Sequence, residues 1–300
     1  MNIQRPIFVC GFTRGGTAIL MNLILSHPKV CKPAGETAQL FKGRREKSFF
    51  YNVRRRLFRD IPIQLLTGQN LFDPHWYKER AKIGSTAERL IDRVFYTEML
   101  NANGENENKY KNENVNYKKD EIKEARLVSK NVNGIVYLSE VLRDMYPMSK
   151  FVCVVRNGLA ICESHMRRGK GVDEVSGMYK SIGNKILKYK NEKEWFEVVK
   201  FEDVISETEK VIEKVYKFCN LKMEKLGKIR MTKKPTLDET GDHEINNGSL
   251  GEIVWYNISN INNHFERDIN EKQVNSIGEE KKAKFLDETE ETMVKLGYKV

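Results

Sequence analysis

Long apolar runs are missing from this 300-residue chain, because its longest apolar stretches, such as 18–25, are interrupted by polar side chains. A transmembrane helix needs about 20 consecutive apolar residues, so none is expected. A signal-peptide pattern is also missing, since only Arg5 precedes the apolar run 6–10 and a glycine-rich stretch follows it. These absences predict a cytoplasmic protein without a membrane span.

Cysteine is scarce, and its spacing carries no pattern. The five cysteines are an odd number and none of them forms a CxxC pair. The sequence therefore supports neither a disulfide framework nor a zinc site, and no metal is expected. With 40% hydrophobic and 31% charged residues, the composition is typical of a globular chain and excludes disorder over most of the length.

Positive charge is concentrated near the N-terminus. Lysine and arginine exceed aspartate and glutamate by 52 − 42 = 10, and residues 1–60 hold 12 basic and 3 acidic side chains, which is +9 of that +10. This asymmetry indicates an anionic ligand near the N-terminal part of the chain.

Strand-like runs alternate with helical patterns, which predicts an α/β protein of P-loop-like architecture, with three layers and a central parallel sheet flanked by helices. The strand candidates are 6–11, 126–130, 151–155 and 195–201. Helices are expected after 6–11, over 159–168, over 85–101 from a capping box at Ser85 and Glu88, and after a second capping box at Ser206 and Glu209. We expect one domain over 1–300, with a flexible polar insertion at 101–125.

A glycine-rich turn follows the first strand and reads GFTRGGTA over residues 11–18. Its backbone amides and the helix N-terminus behind it suit a phosphate or sulfate. The spacing from Gly11 to Gly16 matches the P-loop pattern GxxxxGK[ST], but Thr17 and Ala18 replace the lysine and the second hydroxyl. The turn therefore predicts an anion handled without a metal, with Arg14 supplying the positive charge.

A second basic turn follows the strand 151–155. Arg156 lies at its carboxyl end, and Ser164 follows eight residues later on the next helix, so the two can hold a second phosphate. The alternative is an arginine that pairs with a neighbouring carboxylate at the edge of the sheet.

Together the two turns resemble a known family. The segment PIFVCGFTRGGTAILMNLILSHP resembles the 5′-phosphosulfate loop of sulfotransferases, and KFVCVVRNGLAICESHMRR resembles their 3′-phosphate motif. VVKFEDVISETEKVIEKVYKFCNL and the closing LGY are also similar to family segments, whereas 42–125 and 225–270 are largely unmatched. In motif pattern the chain is nearest to the tyrosylprotein and carbohydrate branches.

The resemblance implies a donor, 3′-phosphoadenosine 5′-phosphosulfate (PAPS), used without a metal. Arg14, Gly15, Gly16, Thr17 and Ala18 would hold its 5′-phosphosulfate, although many members carry Ser, Gly, Thr, Thr over 15–18. Arg156 and Ser164 would hold the 3′-phosphate. The implied reaction is in-line sulfuryl transfer to a hydroxyl or an amine of an unidentified acceptor.

Catalysis would need a base and a cation over the transferring group. Glu36 lies in a segment, SHPKVCKPAGET, that resembles the site of the glutamate base in the tyrosylprotein branch, and Lys130 resembles the lysine upstream of its 3′-phosphate motif. We expect Glu36 as the base, with Arg14 and Lys130 as the cations. His27 and His165 are rival bases, because many cytosolic members use histidine.

The basic segment 42–59 holds eight basic side chains and one acid, interleaved with aromatics. It could attract an anionic glycan, an acidic peptide or another small acceptor, or it could be an amphipathic helix with inward aromatics. Two other functions are weighed against the transferase. A small-molecule kinase is opposed by the absent lysine at position 17, and a nucleic-acid-binding protein lacks any accompanying motif, so no nucleic acid is expected.

Overall fold

A computed structural model describes residues 5–33, 35–37, 50, 53, 57, 85–102, 124–223, 228–232 and 253–300 of the chain. Its contacts divide the chain into two compact units, one made of Met1–Cys10 and Pro28–Phe151, the other of Gly11–His27 and Val152–Val300. The expected single domain stays a prediction. Most of the basic segment 42–59 and of the insertion 101–125 lies outside the described residues.

Helices alternate with strands along the described chain. The strands are β1 (Ile7–Gly11), β2 (Val30–Cys31), β3 (Arg126–Val132), β4 (Lys150–Val155), β5 (Phe196–Lys200), β6 (Lys228–Thr232) and β7 (Ile253–Asn257). The α-helices are α1 (Thr17–Leu25), α2 (Ser85–Asn101), α3 (Ser139–Met145), α4 (Gly158–Met166), α5 (Val172–Glu192), α6 (Phe201–Ser206), α7 (Thr208–Cys219), α8 (Ile269–Asn275) and α9 (Glu279–Lys295). Two 3₁₀ segments cover Asn133–Leu138 and Ile258–His264.

The central sheet has five strands in the order β2-β3-β1-β4-β5, and a separate two-stranded sheet is formed by β6 and β7. In the parallel pair β2–β3, Val30 lies opposite Arg126 and Cys31 opposite Leu127. All five residues of β1 are buried, as are the last five of β4, which fits central strands covered on both faces. The predicted α/β architecture with a central parallel sheet flanked by helices is confirmed.

The core of the first unit forms around Phe8. Its ring stacks on Phe151 with centroids 4.8 Å apart and meets Phe95 edge-on at 6.2 Å. Phe95 lies on α2 together with Ile91 and Met99, and all three are at most 2% exposed. Their spacing of four residues gives one apolar stripe, as the sequence predicts for this helix.

The core of the second unit forms around Tyr179 on α5. Its ring stacks on Phe12 at 4.7 Å and meets Phe285 of α9 edge-on at 5.8 Å. Gly183 allows α5 and α9 to approach closely, since a Cβ there would come within 2.5 Å of Thr292 Cγ2. This packing places the tyrosine hydroxyl, which donates to the Arg156 carbonyl at 3.2 Å, directly under the second basic turn.

The capping box expected at Ser206 and Glu209 is wrong. Ser206 ends α6, and its hydroxyl donates to the Glu202 carbonyl at 2.8 Å. The next helix, α7, starts at Thr208 after Glu207, which makes no side-chain capping bond. A serine hydroxyl in a helix readily donates to the carbonyl four residues earlier. The Ser206 hydroxyl makes this bond within α6 and therefore does not cap α7.

Candidate functional site

The glycine-rich turn connects β1 to α1 in a conformation that depends on glycine. Gly16, directly before α1, has φ of 91°, and a Cβ at this position would overlap the Phe201 ring. The turn is closed by a bond from the Gly15 amide to the Phe12 carbonyl at 3.0 Å. Behind it, the first amides of α1 have no carbonyl one turn earlier in the helix, which leaves them directed at the space before the helix.

Arg14 lies at the tip of this turn with φ of 69°, a left-handed backbone that costs a non-glycine residue about 1–3 kcal/mol. Three side chains, one from the second basic turn and two from α4, hold the tip in place. Arg156 Nη1 donates to the Arg14 carbonyl at 2.9 Å, and Arg14 Nε donates to Ser164 Oγ at 3.2 Å. His165 Nε2 contacts the Thr13 carbonyl at 3.2 Å. The structure therefore brings together the predicted residues Arg14, Arg156 and Ser164.

Arg156 is more deeply engaged than the sequence suggests, being only 5% exposed. Besides the Arg14 carbonyl, it donates from Nε to Asn270 Oδ1 at 2.7 Å and from Nη2 to Gln273 Oε1 at 2.5 Å. Its guanidinium lies over the Phe201 ring, 4.4 Å from the centroid. These three bonds use three of its five N–H donors, so two remain for a ligand.

No carboxylate among the described residues makes a hydrogen bond or an ion pair to Arg156. Burial lowers its pKa to about 10, and Glu202 acts in the raising direction. Glu202 itself accepts from the Asn157 amide at 3.2 Å and from the Tyr298 hydroxyl at 3.0 Å. The alternative of a simple arginine–carboxylate pair therefore does not describe this side chain.

Ser164 is the point at which two cationic side chains meet. The serine is 1% exposed, and its Oγ accepts from Arg14 Nε at 3.2 Å and from Arg168 Nη1 at 3.1 Å. Arg168 Nη1 also donates to the Ser164 carbonyl at 2.5 Å. Two like charges that share one hydroxyl oxygen repel each other unless an anion neutralises them.

Burial and neighbouring positive charges both lower the pKa values of the arginines around Ser164. Although Arg14 as a residue is exposed, burial of its guanidinium against Ser164 lowers its pKa, and the charges of Arg168 and Arg167 lower it further. Burial likewise lowers the pKa of Arg168, and Arg167 adds to that effect. The nearby acid, Glu163, already pairs with Arg167 at 2.5 Å. An anion would remove the repulsion between the arginines.

His165, one of the rival bases, is held against the glycine-rich turn through one of its two ring nitrogens. It is 8% exposed, and its Nε2 contacts the Thr13 carbonyl. Because a carbonyl oxygen only accepts, Nε2 carries the hydrogen. His27 is 2% exposed and meets Tyr216 edge-on at 5.5 Å, so its ring is packed in the protein interior.

Glu36 and Lys130 form an ion pair within the first unit. The Lys130 side chain is 16% exposed and that of Glu36 is 34% exposed, so solvent reaches the carboxylate. The neighbouring residues Thr37 and Ser129 are fully buried and share a hydrogen bond of 2.7 Å between their hydroxyls. This bond ties the segment after β2 to β3 and fixes the ion pair beside it.

Three further residues of the candidate site are not singled out by the sequence pattern. Arg168 could have been found, because it follows Ser164 by four residues and so shares its helix face. Asn270 and Gln273, three residues apart on α8, could not, since each meets Arg156 across more than 110 residues of chain. The turn, the start of α1 and the arginines together form a candidate anion-binding site in this α/β fold.

Comparison with known sequences identifies the family. The profile of the Sulfotransferase family matches residues 6–225, and the chain belongs to this family. Family and fold together support sulfuryl transfer as the general activity. No curated protein matches the sequence significantly.

Two solved structures share the fold across the whole chain. One is a sulfotransferase domain from the Synechococcus PCC 7002 olefin synthase, 13% identical with a TM-score of 0.53, covering 100% of this chain and 96% of that one. The other is a sulfotransferase domain from the curacin biosynthetic pathway, 15% identical with a TM-score of 0.53, covering 100% of both chains. At these identities the likeness concerns the fold alone.

No helix among the described residues combines the length and the apolar character that crossing a membrane requires.

Proposed function

We propose that the protein is a PAPS-dependent sulfotransferase that modifies a hydroxyl, or an amine, of its acceptor. The observation that carries this proposal is the convergence of Arg14 and Arg168 on Ser164 in α4, together with the bond from Arg156 to the Arg14 carbonyl. When bound, PAPS supplies an activated sulfuryl group on its 5′-phosphate. The other steps belong to the residues of the chain.

The donor site has the chemistry that a nucleotide with two anionic ends requires. The turn would offer the backbone amides of Gly16, Thr17 and Ala18 in place of the hydroxyls that other members carry, while Gly15 closes the turn and Arg14 adds a cation at its tip. On the other side, Ser164 and the two remaining N–H groups of Arg156 would bind the 3′-phosphate, and Arg168 would add a second charge. The residues present therefore fit PAPS without a metal ion.

We propose that Glu36 is the general base, which takes the proton that the acceptor loses. Lys130 would be the second cation beside the transferring group. The ion pair between them supports these roles, because the lysine fixes the direction of a carboxylate that solvent still reaches. The likeness to the tyrosylprotein and carbohydrate branches stays a proposal that rests on the motif pattern of the sequence. An acidic peptide, an anionic glycan or a small hydroxyl compound stays the proposed acceptor class, and a cytoplasmic location stays a prediction.

The choice of donor gives the first test. Calorimetry should show tight binding of adenosine 3′,5′-bisphosphate (PAP), the spent donor, because its two phosphates match the two halves of the arginine cluster. ATP with magnesium and a single-stranded oligonucleotide should bind at least about tenfold more weakly, since the turn lacks the P-loop lysine. A preference for ATP would favour a kinase, and a preference for the oligonucleotide a nucleic-acid-binding protein.

Arg168 gives a second test, which the sequence alone did not suggest. Arg168→Ala removes a cation that shares Ser164 with Arg14, and PAP affinity should fall about tenfold, the scale of a charged hydrogen bond. Lys170→Ala is the matched control, because Lys170 is exposed and pairs with Glu174. If both variants lose the same affinity, Arg168 contributes only to the general positive potential and has no specific contact.

A further inference from the structure

His165 lies between the glycine-rich turn after β1 and the arginines around Ser164, which are Arg14 and Arg168. Its two ring nitrogens have different surroundings. Nε2 carries its hydrogen toward the Thr13 carbonyl at 3.2 Å. For Nδ1 the described part of the chain offers no hydrogen-bond partner. The ring can therefore take up a second proton at Nδ1 while the bond to Thr13 stays intact, because the imidazolium still donates from Nε2.

The bond to Thr13 has a direct effect on the turn. In a trans peptide the carbonyl and the following N–H point in opposite directions, so holding the Thr13 carbonyl fixes the direction of the Arg14 amide. Arg156 holds the next carbonyl, that of Arg14. Because the Arg14 backbone is left-handed, it needs such bonds to persist.

The charges around the ring are positive in the free protein. Burial lowers the pKa of His165, the bond to Thr13 raises it, and Arg14, Arg168 and Lys170 lower it. Of the acids close by, Glu163 is engaged by Arg167 and by Gln273, which donates to it at 2.8 Å. The free protein therefore favours the neutral ring, and an anion bound between Arg14 and Arg168 reverses this preference.

We propose that His165 is a positioning residue of the donor site, which holds the Thr13 carbonyl, and that its ring takes up a proton at Nδ1 when the doubly phosphorylated nucleotide binds. This inference rests on the proposed function, since it needs a polyanion in the arginine cluster. The ring takes up this proton at pH values between its lower pKa in the free protein and its higher pKa in the complex. Nucleotide affinity therefore rises as the pH falls through this window and gains nothing further below it.

The test compares wild type with His165→Gln, whose amide keeps an N–H for Thr13 but cannot titrate. PAP binding enthalpies measured in buffers of different ionisation enthalpy give the number of protons taken up. PAP itself titrates, because the second pKa of a phosphate monoester is about 6, so the difference between proteins is the readout. Wild type should take up more protons than His165→Gln at pH 6–7, and its affinity should gain about threefold or more over the variant between pH 8 and pH 6.

Two further variants complete the experiment. His165→Leu removes the donor as well, so PAP affinity should fall at every pH, whereas His165→Gln at pH 8 should remain within about twofold of wild type. His264→Gln, at an exposed histidine on the same unit, should keep the wild-type proton uptake. Equal uptake by wild type and His165→Gln, or full affinity of His165→Leu at pH 8, would overturn the proposal.

A wrong proposed function would give a different result from a wrong assignment of His165. In that case wild type would not bind PAP at all, and the same proton-uptake comparison would be made with inorganic pyrophosphate. A difference between wild type and His165→Gln would still support the coupling to a polyanion, and its absence would refute it.

Discussion

Replacing Glu36 with glutamine should lower turnover by about 100-fold or more while PAP affinity changes little. Glutamine keeps the size of the side chain but cannot accept the proton that the acceptor hydroxyl must lose, and general-base catalysis contributes about 10²–10⁴-fold. Removing the carboxylate also ends the ion pair with Lys130. A partly exposed pair of this kind contributes about 0–1 kcal/mol, so the melting temperature should hardly move. The measurement is PAP release from PAPS with a panel of phenols, alcohols and acidic peptides, beside calorimetry with PAP.

A second glutamate provides the control for this result. Glu197 on β5 also pairs with a lysine, Lys214, at 2.9 Å, and its side chain is 28% exposed against 34% for Glu36. Glu197→Gln should therefore leave turnover and PAP affinity close to wild type. Full turnover in Glu36→Gln would remove Glu36 from the mechanism. A loss of PAP affinity as large as the loss of turnover would instead make it a binding residue.

The parts of the fold that could be predicted are those coded by local pattern. β1 is a short apolar run that ends at a glycine, β4 is one that ends before an arginine, and α2 has buried residues at a spacing of four. β6 and β7 escaped because the segments 228–232 and 253–257 alternate weakly and pair with each other across a long intervening stretch. Such a pairing depends on contacts that no window of sequence contains.

Arg230, which the sequence does not single out, connects the two-stranded sheet of β6 and β7 to the end of α1. The Arg230 amide donates to Ser26 Oγ at 2.8 Å, and its Nη1 donates to Asn22 Oδ1 at 2.6 Å, both at the end of α1. An arginine in a short polar segment reads as a solvated residue, yet this one is 5% exposed. Burial of a charge follows from its tertiary partners, which lie about 200 residues earlier in the chain.

For the candidate site, the sequence pattern predicts which edge of the sheet carries it. Because the carboxyl ends of parallel strands share an edge, the strand pattern places the turns after β1 and β4 at one edge, and Arg14 and Arg156 meet there through a backbone carbonyl. The direction of each guanidinium was not predictable. It depends on α8, which supplies Asn270 and Gln273 to Arg156, and on Arg168, which competes for Ser164.

Arg230→Ala separates loss of stability from loss of binding in the test of Arg156. Both arginines are 5% exposed and hydrogen-bonded to side-chain amides, so removing either leaves buried acceptors without donors. Each variant should lower the free energy of unfolding by about 1–3 kcal/mol, the range found when a buried hydrogen-bonding group loses its partner. Urea unfolding gives this quantity, and PAP binding is measured well below the unfolding transition.

Arg156→Ala should differ from that control by weakening PAP about 10- to 100-fold, whereas Arg230→Ala should bind PAP normally once folded. The reason is that Arg156 combines two tasks: it holds the Arg14 carbonyl, and it has two N–H groups left for the 3′-phosphate. The two tasks separate with 5′-AMP, which lacks the 3′-phosphate. A loss for PAP about tenfold greater than for 5′-AMP would locate Arg156 at the 3′-phosphate. Equal losses of affinity for PAP and 5′-AMP would mean that Arg156 acts only by holding the turn. Ser164 and Arg168 would then bind the 3′-phosphate.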